Sequence, residues 1–569
     1  MNIFRIKTAY KTVVDTIQKS PFISSLLVFT FFATCFSVMY MTIPELSSGD
    51  DHYFHFRFAS QLLDNGFWHS FRSFKTIYFS GIARGDHFLY YNFLFYAVLI
   101  PFTYITPLYI GIKFYAVCIL ALIGTIFYVV FRKMHILYPF LWALGFFVVL
   151  GFGSFYRIFL SRPFVFSPVI LVLFTIALHK RKYFWIFVCA FLPLFWHTAT
   201  FFVPVLIAIV YLFAYFFYYK VFPWKEFLYA ILGTSTAIVL TLCIDKGFFI
   251  SIKENLFDVL AGVLHTSANK PNISVGNEVY PKNFFDFINQ NVLLSSIFIF
   301  SVVCYVRIFW SNIKNRFSFD NKKKDLEVLL LVLFAVSCVF ITAIPLMSNR
   351  FTDVFIFFSW VFIVLVLSNV YALFSPTNSS IKNIVRSALV VFLLYFFCNS
   401  LLQLYDSFAT SGSRPEQFSA IGGYLNDNLK KGDIVFDMDW SWFSQLYYYA
   451  PHQDYVIGLE PMLTYKYDPR LYWLWQNIGR GYVCDTENCP TTVQAQSKAF
   501  GNKKLRDAWV LDQGNSIADT ISTDFKSNYI VSASMYSNLN YVLDNNKRFT
   551  KVITTDDTYF LYRINLSHK

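Results

Sequence analysis

Residues 21–57 read PFISSLLVFTFFATCFSVMYMTIPELSSGDDHYFHFR. Pro21 to Ile43 is one apolar run without Asp, Glu, Lys, Arg or His. It exceeds the ~20 residues that a spanning helix needs. It is also too long for a signal-peptide core, and no small-residue cleavage site follows it, so it reads as a retained span. Asp50 and Asp51 stand where the chain leaves the membrane, and His52, His55 and Arg57 follow at once. Ionisable residues beside a bilayer are costly unless paired, hydrated or coordinated, so such a cluster points to function. A carboxylate pair at the mouth of a multi-span protein suits a divalent cation, Mg or Mn, that meets a phosphate. The competing reading is a solvated loop that only helps to set topology.

Composition agrees with a membrane protein. The 569 residues are 56% hydrophobic and 14% charged, with 70 Phe and 38 Tyr. Soluble domains carry about 25% charged residues. Apolar runs recur at 21–43, 110–131, 136–155, 164–179, 183–198, 200–219, 226–244, 290–310, 327–346, 351–373 and 385–404. The run 88–108 is ambiguous.

The net charge is +13. The basic residues form no single patch of the kind that binds nucleic acid. They fall in short clusters between apolar runs, such as Lys180–Lys182, Lys322–Lys324, and Lys382 with Arg386. That is the pattern of cytoplasmic loops under the positive-inside rule. With a cytoplasmic N-terminus, and with 88–108 a juxtamembrane or re-entrant segment, every cluster falls inside. Asp50, Asp51, Arg157, Arg350, the loop 246–289 and everything after 405 then fall outside. The expected fold is a polytopic α-helical membrane protein of about eleven spans, N-in and C-out. Residues 1–405 form its membrane domain.

In the first external loop, 44–87, Phe56, Ser60, Leu63, Phe67 and Phe71 recur at helical spacing, which predicts amphipathic helices on the bilayer surface. The loop 246–289 is rich in Asn, Ser, Pro and Gly, and loops of that length are often functional. From residue 406 the chain turns polar, giving a C-terminal external mixed α/β domain, 406–569, of roughly 160 residues. Residues 415–430 read as helix; Ile434–Phe436, Tyr529–Val531 and Tyr559–Tyr562 read as strands. Cys484 and Cys489 can close a local disulfide if that domain is outside the cytoplasm; a zinc site needs two further ligands that are not evident.

The stretch D-H-Y-F-H-F-R, continued by L-L-D-N-G-F-W (Leu62 to Trp68), resembles the catalytic subunit of oligosaccharyltransferase. S-V-G-N-E-V-Y-P-K-N-F, Ser274 to Phe284, is similar to that family's S-V-x-E-x-x-P motif with one extra residue before the acid, and Arg350 in S-N-R-F resembles its phosphate-contacting arginine. The resemblance implies a metal-binding role for Asp51, a metal or acceptor contact for Glu278, N-in topology and a C-terminal external domain. Two departures stand against it. The family's second acidic motif is replaced by the basic Tyr156–Pro163, and its W-W-D-Y-G motif is absent, the nearest passage being D-M-D-W-S-W-F-S-Q-L. The broader resemblance is to the GT-C superfamily of polyprenyl-phosphate-sugar glycosyltransferases. It implies a lipid-linked sugar donor, an acceptor that is a protein, lipid or glycan, and a bilayer for the carrier's tail.

A phosphate leaving group needs positive charge, from a metal or from arginines. Arg350, Arg157 and Arg162 are the candidates, against the alternative that Arg157 and Arg162 snorkel to lipid headgroups. Asp51, with Asp50 in support, can act as general base toward the acceptor or hold the metal. His52 and His55 can join a metal shell or stack among the aromatic residues. Asp86, next to His87, can supply the acid that the second motif lacks. Asp439, Trp440 and Trp442, beside Asp437, can bind sugar or pack the C-terminal domain. A transporter or a flippase- or ligase-like envelope protein is the competing function, though internal repeats and mid-membrane helix breaks are not evident. Without a retention signal, and with N-L-S-H-K at its end, the chain is expected in a bacterial plasma membrane with its site facing outside.

Overall fold

The computed structural model describes residues 20–46, 51–73, 91–253, 281–313, 320–374, 379–458 and 461–565. Seven helices among them are long and apolar enough to cross a membrane: Pro21–Tyr40, Leu108–Lys133, Thr198–Tyr219, Trp224–Ile244, Asn321–Leu346, Phe351–Tyr371 and Ser387–Thr410. Two bent pairs raise the number to nine. The runs 164–179 and 183–198 are shorter apolar helices, Pro163–His179 and Tyr183–Trp196. In the ambiguous run, the helix Phe93–Thr103 has 11 residues. That is about 16 Å of helix, roughly half the hydrocarbon thickness. The protein is a multi-pass membrane protein.

The abundance of Phe has a packing explanation. Lipid tails are as apolar as side chains, so helices in a membrane associate through close contact rather than hydrophobic expulsion. Phe32 and Phe36, a turn apart on the first span, are fully buried. Phe36 meets Phe147, Phe159 and Phe397 edge-on at 5.2, 5.6 and 5.9 Å between ring centres. Phe32 adds Phe147 at 5.2 Å. One aromatic cluster thus joins the first span, the Pro139–Val149 helix, the helix after its bend and the last span.

Each bent pair turns through about a right angle: Pro139–Val149 with Phe152–Ile158 by 109°, and Phe284–Gln290 with Val292–Ile308 by 104°. The two breaks meet. A Cβ on Gly151 would lie 1.6 Å from the Gln290 carbonyl oxygen, and Ser154 Oγ donates to Asn291 Oδ1 at 2.7 Å. Only glycine permits that approach, and the contact fixes the direction of the helix that carries Arg157.

The first external helix forms where the spacing predicts, at Asp51–Asn65, with a short helix Phe67–Ser73 behind it. It is not left on a bilayer surface, however. Its residues His52–Phe56, Phe58, Ala59 and Leu62 are buried, because a second layer covers it. Phe54 packs on Phe443 and Tyr447 at 6.0 and 5.6 Å between ring centres, and Tyr53 on Tyr448 at 5.3 Å. Gln61 Nε2 donates to the Pro451 carbonyl at 3.3 Å, and Gln61 accepts from the Tyr447 hydroxyl. On the other side, Phe58 and His55 meet Tyr96.

That second layer is the C-terminal domain. Ile434–Asp437 (β1), Asp454–Tyr455 (β2), Ser527–Ala533 (β3), Phe549–Thr555 (β4) and Tyr559–Ile564 (β5) form one sheet in the order β2-β1-β3-β5-β4. β1 runs parallel to β2 and β3, and β5 antiparallel to β3 and β4. The sequence finds β1, β3 and β5; β2 has 2 residues, and β4, an edge strand, is mostly polar. Cys484 and Cys489 are disulfide-bonded. The domain is anchored where the last helix ends: Leu46 and Ser413 exchange two backbone hydrogen bonds of 3.0 Å. A Cβ on Gly412 would sit 2.6 Å from the Leu46 carbonyl oxygen, so glycine is needed there too.

Gly151→Ala forces the two breaks apart and costs about 1–3 kcal/mol, as overpacking does. A thermal unfolding midpoint in detergent several degrees below the native value is expected. An unchanged midpoint contradicts the contact.

Candidate functional site

Asp51 opens the Asp51–Asn65 helix, where a carboxylate is favoured by the exposed N–H groups and helix dipole. Its Oδ2 lies 3.1 Å from Arg162 Nη2; the Asp51 side chain is 36% exposed and that of Arg162 14%. Arg162 comes from the basic stretch Tyr156–Pro163, just past the bent helix. The same stretch supplies Arg157, whose Nη2 and Nε reach Asp353 Oδ2 and Oδ1 at 2.8 and 3.2 Å. The Arg157 guanidinium also lies over the Phe164 ring at 4.8 Å. Asp353 is in the first turn of the Phe351–Phe374 helix, three residues after Arg350. The acid that the sequence stretch 156–163 lacks is thus brought from elsewhere in the chain.

Lys282 joins this group. It hydrogen-bonds Gln290, and burial followed by the charge of Arg157 holds its ammonium below the usual lysine range. Arg350 is exposed, and its backbone N–H donates to Ser348 Oγ at 3.2 Å. Four basic residues, Arg157, Arg162, Lys282 and Arg350, therefore line one end of the helical bundle together with Asp51 and Asp353. Lys282 and Asp353 were not singled out in the sequence. Asp353 is one acid among apolar residues, and nothing local shows that it faces Arg157.

The histidines turn away from the carboxylate. His52 is 1% exposed, and burial with the nearby Arg162 pushes its pKa down to about 3. His55 is shifted well down by burial first and then by Arg162, His52 and His197. Its Nδ1 lies 2.9 Å from the Tyr96 hydroxyl, and its ring packs on Phe54 and Phe95. Both rings are therefore neutral members of an aromatic layer. Supporting bonds tie the surrounding helix ends together. Tyr91 donates to Asp245 Oδ2 at 2.6 Å, and Asn92 Oδ1 accepts from Thr198 N and Oγ1, both at 2.9 Å.

Asp50, Asp86 and Glu278 lie outside the described residues. Among the described residues no group of three His, Cys, Asp or Glu is placed to hold a metal ion. Asp51 is paired with Arg162, Asp353 with Arg157, and His55 with Tyr96, so these side chains do not by themselves fit a divalent cation. The chemistry they offer is that of a carboxylate base beside guanidinium groups.

In the C-terminal domain, Asp437 ends β1 fully buried; burial pushes its carboxyl pKa well up, and its Oδ1 accepts from Ile457 N at 3.2 Å. Asp439 caps the turn Trp440–Trp442, accepting from Ser441 N at 2.9 Å and from the Tyr536 hydroxyl at 3.4 Å. Trp442 packs inside the domain against Phe418, Tyr536 and Tyr559. Trp440 is half-buried.

Removing one partner of the Arg157–Asp353 pair leaves a nearly buried charge alone. Asp353→Leu or Arg157→Met alone is expected to cost about 3 kcal/mol, and the two combined to recover most of it. Thermal unfolding of the two single variants and the double variant measures this; additive losses contradict the pairing.

No protein-family model matches the sequence, and no curated protein matches it. Solved structures do. The crystal structure of the oligosaccharyltransferase of Archaeoglobus fulgidus, tethered with an acceptor peptide containing the NVT sequon, is 13% identical with a TM-score of 0.55, covering 97% of this chain and 75% of that one. The same organism's oligosaccharyltransferase AglB, in complex with an inhibitory peptide and a dolichol-phosphate, gives 13%, 0.55, 96% and 74%. ArnT of Cupriavidus metallidurans bound to undecaprenyl phosphate gives 10% identity and a TM-score of 0.55, covering 95% of this chain and 98% of that one. The helical bundle with its C-terminal sheet domain therefore has a fold like that of these proteins.

Proposed function

We propose that the protein is a membrane glycosyltransferase that moves a sugar or oligosaccharide from a polyprenyl-phosphate or -diphosphate carrier to an acceptor outside the cytoplasm. The observation that carries this reading is the Asp51–Arg162 pair, 3.1 Å apart at the start of the covered helix. It puts a base and a phosphate-binding group side by side.

In the proposed reaction the acceptor nucleophile attacks the anomeric carbon and gives its proton to an Asp51 oxygen. The bond from that carbon to the phosphate oxygen breaks, and the electron pair leaves on the phosphate. Direct attack of this kind inverts the anomeric centre. Arg162 has donors beyond the one directed at Asp51, so it can hold carboxylate and phosphate at once. Arg350 and Lys282 add positive charge for the leaving group. Arg157 is held by Asp353, and a donor phosphate must compete with that carboxylate for it, so the pair acts mainly to position the basic stretch. A divalent cation would need Asp51 together with Asp50, Asp86 or Glu278 to hold it, and would supply further positive charge for the leaving phosphate.

The neighbours bound to dolichol-phosphate and undecaprenyl phosphate support a polyprenyl carrier here. A protein acceptor read as a sequon has weaker support, because the passage Asp437–Leu446 commits Asp439 and Trp442 to the domain's own packing. The charge pattern supports an N-in topology in a plasma membrane with this site on the outer face.

The test is mass spectrometry of polyprenyl-linked sugars and external glycoconjugates in cells carrying the native chain or Asp51→Asn. Losing the base is expected to slow transfer about 100-fold or more. The lipid-linked donor then accumulates and one glycoconjugate disappears at an unchanged protein level. If neither pool changes, Asp51 is a topology residue and a transport function takes precedence.

A further inference from the structure

Where the Asp51–Asn65 helix meets the C-terminal domain, a cavity of about 450 Å³ opens, lined by Arg57, Asn426, Lys431, His452 and Gln453 with two apolar side chains. Its charge is one-sided: among the described residues three basic side chains line it and no carboxylate does. The repulsion is felt at His452, whose pKa is lowered by burial and then by Lys431 and Arg57, with only Asp64 opposing. An anion bound there would meet Arg57 and Lys431 together, and its charge would be favoured by both.

A second observation points the same way. Gln453 is 2% exposed, and its Oε1 has no hydrogen-bond partner among the described residues. Arg57 Nε is buried and also without a partner. Buried polar atoms are nearly always satisfied, so two cavity-lining residues that each carry an unsatisfied polar atom have hydrogen-bonding capacity that a polar ligand can use once the side chains turn toward it. Among the described residues no hydrogen bond holds the Gln453 Oε1, and the carboxamide can turn its NH2 inward. Asn426, by contrast, already donates to the Tyr449 carbonyl at 2.7 Å.

We propose that this cavity binds a phosphate-bearing headgroup on the acceptor side of the reaction, with Arg57 and Lys431 holding the charge and Gln453 and His452 completing the hydrogen bonds. Arg57 stands six residues after Asp51 on one helix, about 9 Å along its axis. A phosphate held there keeps its carrier beside the catalytic helix without occupying the carboxylate end. The acceptor assignment rests on the glycosyltransferase reading; the anion site does not.

The test is calorimetric titration of the full-length protein with inorganic phosphate, in nanodiscs of neutral phosphatidylcholine. Saturable binding is expected. It should weaken about tenfold or more in Lys431→Gln and Arg57→Gln, and stay native in Lys430→Gln, the exposed neighbour outside the cavity wall. Lys431 is exposed, so its variant keeps the measurement valid should Arg57→Gln fail to fold. Nanodiscs containing phosphatidylglycerol separate the two sources of the group. Loss of phosphate binding there assigns the cavity to a lipid headgroup, and undiminished binding assigns it to a soluble phosphorylated acceptor. The titrations are repeated in an Arg162→Gln, Arg350→Gln background, which removes the phosphate contacts of the transfer reading; binding in this cavity should persist there, so a failure of that reading is distinguishable from a failure of this one. Absence of saturable binding, or equal binding by Lys431→Gln and Arg57→Gln, overturns the proposal.

Discussion

Two arginines on the short stretch Tyr156–Pro163 have to be neutralised at the edge of an apolar bundle, and most of the site's geometry follows from how that is done. A guanidinium cannot shed its proton, so it has to be solvated or paired. Arg157 takes Asp353 and Arg162 takes Asp51. Each pair joins segments far apart in sequence. The first locks the bent helix to the Phe351–Phe374 helix, and the second draws the opening of the Asp51–Asn65 helix onto the bundle. The contact between the helix breaks, through Gly151, sets where that stretch emerges.

The C-terminal domain completes the arrangement. Tyr447, Phe443 and Tyr448 cover the Asp51–Asn65 helix, and the Leu46–Ser413 bridge ties the exit of the first span to the exit of the last. The helix that carries Asp51 is held between two rigid layers. In the proposed reaction such fixing positions the Asp51 carboxylate before the substrate arrives. Its half-buried side chain remains partly accessible while the histidines beside it stay neutral in the aromatic layer.

Much of this was legible in the sequence, for identifiable reasons. The spans are long apolar runs, and β1, β3 and β5 are runs of β-branched and aromatic residues. Asp51 and Arg162 were both singled out, one from its place after the first span and the other from its place in a basic stretch. Their pairing was not legible, because it joins positions more than 100 residues apart. The same holds for Asp353, a single acid at a helix start, and for Lys282, one lysine near a long loop. The covering of the Asp51–Asn65 helix was missed because amphipathic spacing shows that a face is buried, not what buries it. Trp442 and Asp439 resemble sugar-binding residues by type. Their partners, Tyr536 and Tyr559, come from a part of the chain that composition does not connect to them.

The account's central claim is that the basic cluster around Asp51 exists to hold the phosphate of a polyprenyl carrier. Native mass spectrometry of the full-length protein, taken from its membrane and offered polyprenyl phosphate, tests this most directly. The account predicts a one-to-one adduct that is selective over ordinary phospholipids and is lost in Arg162→Gln and Arg350→Gln while the protein stays folded. Binding no stronger than that of bulk phospholipid, or an adduct indifferent to both arginines, would contradict it.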